Sequence, residues 1–160
     1  MESAARLLTI DETTSAVDEY IDSNVLPKIP RGFYLYFHES LGVFSFERLR
    51  KICGHIAVCQ HTPGANGASG PTICSELTRI KTRRLINATI LDWLLDRPRC
   101  IHEYWKNFNT ILFWGTTLID TSSVPYVMGM RWENSSWHKV TVRRDNLFDD
   151  SFVSAILDDS

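Results

Sequence analysis

The sequence predicts an α+β fold: a single domain over residues 1–160, with helices packed on a small antiparallel sheet, a C-terminal β-hairpin and a short terminal helix. Three observations carry that expectation. Aromatic and β-branched runs bounded by turn residues occur at 33–37, 111–114 and 126–143. Apolar residues spaced by three and four recur near 10–23, 72–96 and 147–157, the period of an amphipathic helix. The two kinds of segment do not alternate regularly, which argues against a parallel βαβ design.

Each element follows in chain order. Thr9 and Glu12 form a capping-box pair, and Ile10, Thr14, Val17 and Ile21 fall on one helical face, so a first helix is expected over about 10–23. Pro27 and Pro30 stop it. Phe33-Tyr34-Leu35-Tyr36-Phe37 then reads as a strand. Ser45 caps an expected short helix to about residue 53, while Ile56-Ala57-Val58 suits a strand equally well as a helix. Residues 62–71, with two Pro and three Gly, have the composition of a mobile loop.

Ile73, Leu77, Ile80, Ala88, Leu91 and Leu95 form one stripe if 72–96 is a single helix. Arg84 falls inside that stripe, so it must snorkel, pair with a buried carboxylate, or mark a break in the helix. Pro98 ends the segment, Ile101–Phe108 continues as a short helix, and Ile111–Trp114 reads as a strand. A hairpin is expected over about 124–143, its strands Tyr126–Trp132 and Trp137–Arg143 joined by a four-residue turn, Glu133-Asn134-Ser135-Ser136. If Trp132 faces Trp137, then Tyr126, Met128, Met130 and Trp132 share a face with it. Leu147, Phe148, Phe152, Val153 and Ile156 mark an expected acidic helix over about 147–157.

Composition narrows the functional classes. With 44% apolar and 22% charged residues the chain has a globular rather than a disordered balance. No apolar run approaches the ~20 residues of a membrane span, and Met1–Arg6 lacks the basic and apolar regions of a signal peptide. Four scattered cysteines do not make a secreted disulfide scaffold. The expected location is therefore intracellular, cytoplasmic or nuclear.

The net charge of -2 hides a segregation: -5 over residues 1–24, +8 over 25–144 and -5 over 145–160. The positive charge gathers in short blocks, and Arg79, Lys81, Arg83, Arg84, Arg143 and Arg144 are the candidate anion-binding residues. The acidic C-terminal stretch suits docking in a basic apolar groove, on a partner or on this chain's own basic body.

Chemistry-bearing motifs are sparse. Cys53, His55, Cys59, His61 and Cys74 are zinc-type ligands, but on a strand the first four would span some 27 Å at about 3.4 Å per residue. They are weak metal candidates; no metal or cofactor is expected. His102-Glu103 lacks the second histidine of a metalloprotease helix, and no phosphate-binding glycine loop is present. The leading expectation is a non-catalytic interaction or regulatory protein. It would bind a protein partner or a second copy through the aromatic hairpin residues Tyr126, Met128, Met130, Trp132 and Trp137, or through the basic blocks. The alternatives are a small enzyme or ligand carrier using His38, His55 or His102 in an aromatic pocket, and nucleic-acid or anionic-surface binding by the basic middle.

Overall fold

The computed structural model describes residues 20–45, 56–59, 67–79 and 83–158. Within them strand outweighs helix. A seven-stranded mixed sheet runs β4 (Ile56–Cys59), β11 (Phe152–Asp158), β7 (Thr110–Ile119), β8 (Pro125–Glu133), β9 (Ser136–Arg143), with β2 (Tyr34–His38) also pairing β7 and β6 (Arg83–Leu85) also pairing β11. Two small ribbons pair β1 (Tyr20–Asp22) with β3 (Val43–Ser45) and β5 (Ala68–Ser69) with β10 (Leu147–Phe148). Two α-helices lie among the described residues, α1 (Gly70–Thr78) and α2 (Ala88–Leu95), and Glu103–Asn107 is a 3₁₀ turn.

This corrects the expected fold class. The sheet is large and mixed rather than small and antiparallel, and the terminal segment is a strand rather than a helix. β11 pairs in parallel with β7 (Val153 opposite Ile111) and antiparallel with β4 and β6. Its Val153, Ser154, Ala155, Ile156 and Leu157 are all buried. A strand covered on both faces loses the two-residue alternation, so its apolar positions can be read at helical spacing too.

The remaining differences have similar causes. The expected first helix ends instead in β1, with residues 10–19 outside the described set; Ser45 closes β3, and the short helix expected from there to about residue 53 lies outside the described residues. Of the expected loop at 62–71, residues 67–69 lie against β10 and Gly70 already begins α1. The expected 72–96 helix is α1, β6 and α2; Arg84 sits opposite Leu157 in the break, the third of its possible placements. Asn87 caps α2, its side-chain oxygen accepting from Ile90 N at 3.3 Å.

The hairpin has the expected register, with Trp132 opposite Trp137, but a tighter turn. Glu133 pairs with Ser136, and Asn134 and Ser135 both take positive φ (52° and 62°), a two-residue turn matching the twist of the strands.

The sheet divides the core into two layers. On one face Ile111, Phe113, Leu118, Met128, Met130, Val153 and Leu157 pack against Ile90, Leu91 and Leu94 of α2. On the other, Leu112, Trp114, Val127 and Ile156 pack against Ile73, Cys74 and Leu77 of α1 and against Phe148. Trp114 donates its indole N–H to Ser154 Oγ at 2.7 Å, tying β7 to β11 across this layer.

β7 is interrupted midway. Phe113 pairs with Met128 and Thr117 with Val127, so Trp114–Thr116 have no opposite number on β8. The segment after β6 docks there. Gly115 N donates to Ile86 O at 2.9 Å, and a Cβ at Gly115 would lie 2.7 Å from Asn87 N. Beyond this point β7 takes β2 as its second neighbour, and the sheet forks.

Candidate functional site

The fork is held by buried polar groups. Asn87 Nδ2 donates to the carbonyls of Ser23 (3.0 Å) and Glu39 (2.7 Å). Ser23 Oγ donates to Gly42 O (2.6 Å) and accepts from Leu41 N (3.0 Å). His38 Nε2 contacts the Ser23 carbonyl at 2.9 Å, and a carbonyl can only accept, so this nitrogen carries the proton. His38 Nδ1 then accepts from the Thr116 hydroxyl (3.0 Å), whose oxygen receives Ala88 N–H (2.8 Å). Both ring nitrogens are thus spent on holding β2, β7 and the start of α2 together. His102, the second described histidine among the acid–base candidates, accepts from Tyr104 N (3.1 Å) at the start of the 3₁₀ turn. Burial pulls its imidazole below the ordinary histidine range, against the opposing pull of Glu103. His55 lies outside the described residues.

The expected partner-binding residues of the hairpin separate by depth. Met128 and Met130 are 0% exposed beneath α2 and present nothing to a partner. Tyr126 is half-buried; its hydroxyl donates to Asp120 Oδ2 (3.1 Å) and its ring meets Phe33 edge-on at 4.8 Å. Trp132 and Trp137 are half-buried partners with ring centroids 5.5 Å apart. Lys106 Nζ sits 3.9 Å over the Trp132 ring while pairing with Glu103 at 2.8 Å.

The anion-binding candidates are largely engaged within the protein. Arg79 pairs with Glu76 (3.3 Å), Arg84 donates to Ser40 O (3.3 Å), and Arg143 grips Asp145 through two hydrogen bonds of 3.0 and 2.9 Å. The Arg143 fork holds the Asp145 carboxyl below its usual range. Arg144 turns inward beside Cys74, with its Nε buried and unpartnered. Lys81 lies outside the described residues, and Arg83 is placed by its backbone pairing with Asp158.

Of the metal candidates only Cys59 and Cys74 fall among the described residues. Cys53, His55 and His61 are outside the described residues, Cys59 ends β4, and Cys74 is a core residue of α1. Burial pushes the Cys74 thiol up, with the Arg144 guanidinium pulling the other way. Among the described residues no group of three or more His, Cys, Asp or Glu is placed to hold a metal ion.

Two surfaces emerge that sequence reasoning did not single out. The first is an open groove of about 300 Å³ between α2 and residues 21–28, lined by Val25, Leu26, Trp93 and the charged side chains of Asp22, Lys28, Asp96 and Arg97. Its wall is strapped to α2 through Asp92, which accepts Lys28 N (2.7 Å) and pairs with Lys139 (2.7 Å). Trp93 is nine-tenths buried with its indole N–H unpartnered.

The second is the outer side of β2. Leu35 and His38 pair with Leu118 and Thr116 and turn toward the α2 layer. Tyr34 and Phe37, opposite Ile119 and Thr117, face the other way, and Tyr36 is the extra residue of a bulge. The three aromatics stay 56%, 50% and 71% exposed respectively. The signal lay in the run itself: five successive aromatic or apolar residues on a strand cannot all reach one core face. Scans against family models, curated proteins and solved structures found no match to this chain.

Proposed function

We propose that this is a non-catalytic binding protein that engages a protein partner through the β2 side of its sheet. The observation that carries the reading is the exposure of Tyr34, Tyr36 and Phe37 together on one short strand. Aromatic side chains offer large contact area at low entropic cost and are enriched where protein surfaces meet. The strand beneath them is pinned through His38 and Leu35, so the patch is presented in a fixed arrangement rather than on a loose loop. Among the described residues β2 pairs on one side only, but its bulge works against simple strand addition, which favours docking on the side chains.

An intracellular setting is part of this reading, supported by the buried thiol of Cys74, which forms no disulfide. The nucleic-acid alternative draws less support, because Arg79, Arg84 and Arg143 each have a partner within the chain.

The test is comparative capture by cross-linking in cells, using the full chain, a Tyr34→Ser/Tyr36→Ser/Phe37→Ser variant and an Arg79→Ala/Arg143→Ala variant. Exposed positions tolerate such changes within roughly 0.5 kcal/mol each, so the melting temperature should move by only a few degrees. The reading predicts that cross-linked proteins are lost from the aromatic variant and kept by the arginine variant. The same proteins captured by a folded aromatic variant would overturn it.

A further inference from the structure

We draw no further inference here: the strongest candidate, the open groove between α2 and residues 21–28 floored by Trp93, sets Asp22 and Asp96 against Lys28 and Arg97 on its walls, the unpartnered indole nitrogen is sealed from solvent, and nothing in the structure shows what covers the exposed Val25 and Leu26.

Discussion

The hairpin β8–β9 and the strand β2 are both rich in aromatic and apolar residues, and they meet opposite fates. Met128 and Met130 on the hairpin are 0% exposed, whereas Tyr36 on β2 is 71% exposed. Both segments are extended and both pair with β7, so local conformation does not separate them. The layer above each one does. α2 lies over the face that carries Met128 and Met130, while the bulge at Tyr36 and the register of Tyr34 and Phe37 leave these three side chains of β2 outside its cover. Exposure is decided by tertiary cover, and a list of aromatic residues identifies an interaction surface only after the cover is known.

The largest break in this contrast comes from removing the strand that supports the covered side. Val153, Ala155 and Leu157 of β11 lie in the same layer as Met128 and Met130. A chain ending at residue 151 loses a central strand, and it should show no cooperative thermal transition by circular dichroism. A sharp transition near that of the full chain would mean that β11 is dispensable to the fold.

Smaller and more local are the two methionines. Met128→Ala and Met130→Ala should each cost about 2–5 kcal/mol in urea unfolding, the range for truncating a fully buried side chain. Values near zero would mean that these residues are not in the core.

The smallest effect lies at the turn where the two regions meet. Asp120 accepts from Val124 N (3.0 Å), Ser122 N (2.8 Å) and the Tyr126 hydroxyl, and Tyr126 in turn packs on Phe33 just before β2. The Val124 hydrogen bond comes first among the interactions that hold this carboxyl below its ordinary value, with those from Ser122 and Tyr126 and the charge of Arg143 adding to it. A depressed folded value favours the ionised form, so this stabilisation is present above the ordinary carboxylate pKa of about 4. It is lost as the pH falls through the lower folded value. The gap in melting temperature between the native chain and Asp120→Asn should therefore narrow between pH 6 and pH 3. A gap that stays constant with pH would remove the ionised Asp120 from the account.

How far these regions were legible in the sequence follows from the range of their contacts. The hairpin could be read because Trp132 and Trp137 are five residues apart and the turn chemistry is local. The β2 strand could be read as extended for the same reason, but not its exposure, which depends on a bulge and on helix α2 some fifty residues later. Arg84 did signal the break between α1 and α2, since a charge in an apolar stripe conflicts with one continuous helix. The strand identity of 152–158 was hidden. Its pairing with Thr110–Leu112 is parallel and distant, and Phe152, Val153 and Ile156 fit a helical spacing as well as a buried strand. The acidic C-terminal stretch does join the body of this chain, as an integral strand rather than a docked helix.

Hydroxyl-radical footprinting of the native full-length chain, read by peptide mass spectrometry, compares the two regions in one experiment. Methionine thioethers oxidise readily when solvent reaches them, so protection there is informative. The account predicts early labelling of Tyr34, Tyr36 and Phe37, with Met128 and Met130 unmodified until the chain is unfolded in urea. Rapid oxidation of Met128 and Met130 in the folded protein, with Tyr34, Tyr36 and Phe37 protected, would contradict it.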